Sequence, residues 1–184
     1  IQGNASPSEL DQTGDTAVLV YIDSTKGWLY TQENTVTPVP DAGFVAATGG
    51  TITTSGDYKI HTFTSSGTFT VTCGGNAAGS NTVDYMVIAG GGGGADGAAG
   101  GGGAGGFRES VPSPAAWTAS PRANPGGALP VSAQAYPVTV GGGGAGGSAS
   151  DGCNGSPSIF STITSSCGGG GGAGANPGIA GGSG

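Results

Sequence analysis

Apolar and polar residues alternate with a period of two in several stretches of the first half of the chain. Tyr58-Lys59-Ile60-His61-Thr62-Phe63 puts Tyr58, Ile60 and Thr62 on one face and Lys59, His61 and Phe63 on the other. Thr68-Phe69-Thr70-Val71-Thr72-Cys73 repeats the pattern and predicts a strand with Phe69, Val71 and Cys73 inward. Ala17 to Asp23 is rich in β-branched residues and is followed by the turn Ser24-Thr25-Lys26-Gly27 and then by Trp28-Leu29-Tyr30-Thr31-Gln32. That order predicts a hairpin. Val83 to Ala89 predicts one more strand, running straight into Gly90. No stretch holds a helical period over about eleven residues. Glycine and proline interrupt every alanine-rich stretch, at about 1 and 3 kcal/mol per helical position. The expected fold class is all-β, with almost no α-helix.

Composition sharpens the second half. Of the 43 glycines in 184 residues, 11 lie in 1–89 and the other 32 in 90–184. This break predicts three parts. Residues 1–41 form an N-terminal β module with a linker at Pro38 and Pro40, 42–89 a second β-sandwich-like module, and 90–184 a glycine-rich domain. Within the last part, 107–140 and 148–167 read as loops between glycine tracts. Each tract is entered from a β-type stretch, which a flexible linker does not need. The alternative to a linker is a packed bundle of threefold extended helices of the polyglycine II type. Their N–H and C=O groups point sideways and pair between segments. The occasional alanines Ala95, Ala98, Ala99, Ala104, Ala145 and Ala173 then fit only where the side chain points outward. The chain starts at Ile1 and stops inside a glycine tract at Gly184, which reads as an internal piece of a longer polypeptide.

Charge and chemistry narrow the function classes. Four basic and eleven acidic residues give a net charge of −7, which provides no basic footprint for nucleic acid or an anionic membrane. No apolar run reaches the roughly 18 residues of a membrane span, so no membrane insertion is expected. His61 is the one histidine, and no ligand-spaced set of Cys, Asp or Glu lies near it. No metal, no cofactor and no catalytic residue is expected, and the chain does not read as an enzyme. Cys153 and Cys167 bracket a 13-residue segment that a disulfide would close, and two reduced thiols are the alternative.

Val83-Asp84-Tyr85-Met86-Val87-Ile88-Ala89 followed by Gly90 to Gly94, then Gly100 to Gly106 with Phe107-Arg108, resembles the glycine-rich domain of tailed-phage tail-fibre and other virion proteins. Tyr58 to Thr70, Pro137-Val138-Thr139-Val140-Gly141, and Asn154 to Phe160 with Cys167-Gly168 extend the likeness over about 43–184. Residues 17–31 are similar to β modules in virion proteins of cyanobacterial phages. The layout is similar to that of the tip adhesins of T-even-like long tail fibres. The resemblance implies a virion location, a homotrimer, contacts with other virion proteins, and attachment to a host cell-surface glycan or outer-membrane protein. Exposed aromatics and arginines of the first loop are then the expected receptor contacts: Trp117, Arg122 and Tyr136, with Phe107 and Arg108 at its base. The same resemblance leaves open a purely structural component, such as a capsid decoration or fibre shaft.

Overall fold

The alternating stretches become strands in the computed structural model, which describes residues 16–24, 27–34, 41–111, 118, 120, 121, 123 and 127–182. No helix occurs among the described residues. The chain divides into two units, Ile1–Asp41 and Ala42–Gly184. The first unit holds the expected hairpin: β1 (Thr16–Asp23) pairs antiparallel with β2 (Gly27–Asn34).

In the second unit the strands are β3 (Val45–Thr48), β4 (Thr51–Ser55), β5 (Tyr58–Thr62), β6 (Gly67–Gly74), β7 (Thr82–Val83) and β8 (Met86–Ile88). They continue as β9 (Phe107–Glu109), β10 (Leu129–Pro130), β11 (Ala135–Thr139), β12 (Ser158–Phe160) and β13 (Ile163–Ser165). One five-stranded antiparallel sheet has the order β13-β12-β11-β6-β3. Two-stranded pairs β4-β5, β7-β10 and β8-β9 accompany it. The sheet's strands come from both sides of the composition break. Residues 42–89 are therefore not a separate sandwich-like module, because the apolar face of β6 is completed by β11 from the glycine-rich half.

The core follows from that pairing. Tyr136 stands opposite Phe69, Ala47 opposite Val71, and Val138 opposite Phe160, so apolar side chains meet across neighbouring strands. Phe69, Val71, Val131 and Tyr136 are buried together. The rings of Phe69, Tyr136 and Phe160 lie 5.8–6.5 Å apart in tilted and edge-on arrangements.

Two strand expectations change. In β6, Ala46 faces Cys73 but Ala47 faces Val71, so Thr72 is an extra residue and its Oγ1 donates to Ala46 O at 3.1 Å. The bulge breaks the alternation, and Cys73 is exposed instead of inward. Val83 to Ala89 is also two strands. Ser110 holds the break: Tyr85 N–H donates to Ser110 Oγ at 2.8 Å, and that hydroxyl donates to Asp84 Oδ1 at 2.9 Å.

The glycine tracts are bonded to one another in steps of three residues. Ala89, Gly92 and Ala95 N–H donate to Gly106, Gly103 and Gly100 O at 3.0, 2.8 and 3.1 Å. Gly90, Gly93 and Asp96 N–H donate to Ser156, Cys153 and Ser150 O. Gly144 and Gly147 donate to Gly91 and Gly94 O, and Gly168 and Gly171 donate to Gly90 and Gly93 O. The same step joins Gly100, Gly103 and Gly106 to Gly172, Gly169 and Ser166, and joins Ile179 and Gly182 to Gly170 and Cys167. The 148–167 stretch is thus not a loop. Its first part lies within this network, and its second part is the β12-β13 hairpin.

Close approach explains the glycine. Gly168 to Gly172 are buried, and a Cβ on any of them would come within 3.0 Å of a neighbouring backbone atom. At the edges the restriction repeats every third residue. Gly141, Gly144 and Gly147 have no room for a Cβ, whereas Gly142 faces open space. Ala145, three residues after Gly142, is exposed, and so is Ala104, three residues after the equally open Gly101. The outward placement expected of the tract alanines holds for Ala98, Ala99, Ala104 and Ala145, whereas Ala95 and Ala173 are half-buried. Replacing Gly170 by Ala is expected to destabilise the fold by about 1–3 kcal/mol through overpacking. Gly142→Ala is expected to be neutral or to stabilise by up to about 1 kcal/mol by restricting the unfolded chain. Denaturant melts of the two variants check the contrast.

Candidate functional site

The direction of the bonded segments fixes where their turns lie. The 89–96, 144–147 and 168–171 segments run parallel, because their paired residue numbers rise together. Each is followed by a segment that returns antiparallel: 100–106, 150–156 and 179–182. The three connecting turns, at 97–99, 148–149 and 174–175, therefore sit at one end, and the opposite end joins the strands. Gly97 and Gly174 have φ of +80° and +58°, where glycine is favoured, and Ala149 takes φ +56°. All three turns are exposed.

Two carboxylates tie these turns together. Asp96 Oδ1 accepts from Gly97 N–H at 2.8 Å, and its Oδ2 accepts from Ala149 N–H at 3.0 Å, joining the first turn to the second. Asp151 Oδ1 accepts from Ala173 N–H at 2.7 Å and from Asn176 Nδ2 at 3.2 Å, joining the second hairpin to the third. A bridge between Ala99 and Ala173 closes the set. The Ala173 N–H, and secondly the Asn176 amide, hold the Asp151 carboxyl below its ordinary value. No Lys, Arg or His occurs in 89–106 or 141–184, so this end is acidic. The sequence reading missed the turns. Their signal was the pair of acids, Asp96 and Asp151, standing in otherwise uncharged glycine tracts.

The expected contact residues do not come together at this end. Trp117 and Arg122 lie outside the described residues. Phe107 and Arg108 are half-buried on β9, and Arg108 Nη1 donates to Phe107 O at 3.0 Å. Tyr136 is a core residue, not a surface contact, because β11 turns it toward Phe69. Its phenol oxygen accepts from Ser132 N–H and Gln134 Nε2, both at 2.9 Å, which lowers its pKa. Glu109 folds the described part of the first connector back, accepting from Ser120 N–H at 2.9 Å.

Cys153 and Cys167 are free thiols. Gly152 pairs with Gly171 and Gly155 with Gly168, so Cys153 stands level with Gly170, three residues beyond Cys167. That offset, along a chain bonded in threes, keeps the sulfurs from meeting. His61 Nδ1 lies 2.8 Å from Gly49 O, and its ring packs edge-on against Phe69, so it serves the fold. Among the described residues no group of three or more His, Cys, Asp or Glu is placed to hold a metal.

These features define an all-β domain whose sheet carries a network of backbone-bonded glycine segments. The chain belongs to the glycine-rich domain family, whose model matches residues 64–184. The match begins just before β6 and takes in the whole glycine network. No curated protein and no solved structure matches the chain.

Asp151 also makes a pH prediction. Its depressed folded pKa means its contribution is complete above the ordinary value of 3.8 and is lost as pH falls through the lower folded value. Thermal melts are expected to show a fall in Tm across that acid window, and Asp151→Asn to lower Tm at neutral pH and flatten the acid limb.

Proposed function

We propose that the chain is a segment of a tailed-phage tail fibre or fibre tip, in which packed polyglycine II helices form a rigid stand for host-surface contact. The three-residue step of the backbone bonds supports the helix type, since a threefold helix presents the same side every third residue. The observation that carries the functional reading is the gathering of three exposed turns at one end. Turns held on a stiff scaffold lose little freedom on binding. Several weak contacts are raised to useful avidity by repeated copies on a trimeric fibre. The partner class is a host cell-surface glycan or outer-membrane protein, the location is the virion, and no bond is made or broken. The contact surface is the set of turns at 97–99, 148–149 and 174–175, with Trp117 and Arg122 of the first connector as a second patch.

A second reading, a purely structural virion component, is favoured by a different observation. Phe44, Met86 and Ile88 are 67%, 65% and 55% exposed, which suits burial against other virion proteins.

Hydrogen exchange tests the helix type. Gly92 and Gly93 amides are expected to be protected, while Gly91 and Gly94, whose N–H groups donate to no described acceptor, exchange fast. Uniform fast exchange from 90 to 106 would remove the rigid stand. For function, the purified chain is expected to label host cells and to block phage adsorption. Ala98→Arg and Ala175→Arg, both at exposed turns, are expected to weaken labelling about tenfold with unchanged melts. Absence of labelling, together with loss of fibre assembly in Met86→Glu, would favour the structural role.

A further inference from the structure

Ser66 Oγ accepts from Val140 N–H at 3.0 Å, immediately before the 141–147 segment begins. Ser66 belongs to the connection between β5 and β6. This connection and the Gly49-Gly50 turn between β3 and β4 line an open cavity of about 400 Å³. That volume falls in the range of about 300–1,000 Å³ usual for small-molecule sites. The cavity is at the root of the 141–147 segment, at the opposite end from the three turns.

Its lining has an unusual chemistry. Phe63 packs against the core cluster and also lines the cavity. Three glycines border its ring. A Cβ on Gly49, Gly50 or Gly67 would stand 3.3, 3.1 or 3.5 Å from the nearest ring carbon, so side chains at those positions would cover the ring. Gly49 and Gly50 have φ of +107° and +65°, which keeps other residues out. Thr51, Thr62, Thr64, Ser65, Ser66 and Thr68, all exposed residues, complete the lining. Ser66 is committed to Val140, and the other five hydroxyls hold no hydrogen bond among the described residues. No charged side chain lines the cavity.

An aromatic side chain lining a cavity together with uncharged hydroxyl-bearing residues suits one ligand chemistry. We propose that this cavity binds a neutral saccharide, as a single pyranose or the end of a glycan. The sugar's C–H face rests on Phe63, and its hydroxyls exchange hydrogen bonds with the rim, where each group can donate and accept. A phosphorylated or sulfated sugar finds no cation here. A purely apolar ligand would strip water from the free hydroxyls and return nothing. The site lies away from the turns and stands whether or not they touch a host.

Amide shifts of the isotope-labelled chain, titrated with glucose, galactose, mannose and N-acetylglucosamine to about 0.1 M, test the proposal, since an open site holds one sugar in the millimolar range. At least one sugar is expected to shift Gly49, Gly50, Ser65 and Gly67 saturably, and glucose 6-phosphate to shift them less. Phe63 also supports the core, so the informative variant is the exposed pair Thr64→Val with Ser65→Ala. Its affinity is expected to drop at least about fivefold with an unchanged melt. The proposal is overturned if no sugar moves these amides, if the shifts fall on the turns instead, or if the double variant binds like the parent. None of these results bears on the turns' own adhesion assay.

Discussion

A backbone N–H withdrawn from water must find another acceptor, and in the glycine-rich half of this chain the acceptors are carbonyls of neighbouring glycine segments. Ordinary side chains hold backbones too far apart for this outside a sheet ladder. Glycine removes that spacer, and the segments approach until a Cβ would strike a neighbouring carbonyl. The bonds recur every third residue and lead to more than one neighbour, so the 89–96 segment bonds to 100–106, 150–156, 144–147 and 168–171 together. A β-strand, with its period of two, bonds only within one plane. Each such bond contributes about 1 kcal/mol net, against the large entropy glycine loses on ordering. Stability therefore depends on the whole network forming at once.

The sheet supplies what the network lacks. Residues without side chains bury little apolar surface, and the side-chain core is confined to the β6–β11 region with Phe69, Val71, Val131 and Tyr136. Strands and glycine segments alternate along the chain. β8 leads into 90–96, β9 follows 100–106, β11 leads into the segment from Gly141, and β12 follows 150–156. The first two glycine hairpins are thereby rooted in paired strands, and the third leaves from β13. Serine hydroxyls mark the roots: Ser158 Oγ accepts from Gly141 N–H at 2.9 Å, and Ser66 does the same for Val140. At the far end the closure is by carboxylates. Asp96 and Asp151 accept from backbone N–H groups of neighbouring turns, so three separate hairpins end as one surface.

This division separates the close-packed interior from the exposed turns. The buried stretch Gly168 to Gly172 has no room for a side chain, whereas the residues of the turns at the free end are exposed. The hydroxyl-rich cavity beside Phe63 is at the rooted end. The domain thus presents two chemically different ends: an acidic, backbone-rich one and an uncharged hollow lined by Phe63, serines, threonines and glycines.

The core strand β6 was legible in the sequence, because alternation at Thr68 to Val71 states which face is apolar whatever the partner; β5 was legible as a strand, but its Tyr58 and Ile60 are exposed because β5 pairs only with β4. The absence of helix among the described residues and the outward placement of Ala104 and Ala145 were legible for similar local reasons. Cys73 was misread because a bulge depends on the register with β3, which one strand's pattern does not contain. Tyr136 was misread because its role depends on which strand lies opposite. The 89/90 break looked like a boundary because composition counts residues, whereas a sheet pairs β6 with β11 across about sixty residues of intervening chain. The order of residues alone thus determined that these segments are extended and that the glycine tracts can approach closely. Only the tertiary structure decided which segments approach which and in what direction, since identical glycines carry no address, and the anchoring strands, turns and two aspartates set the register.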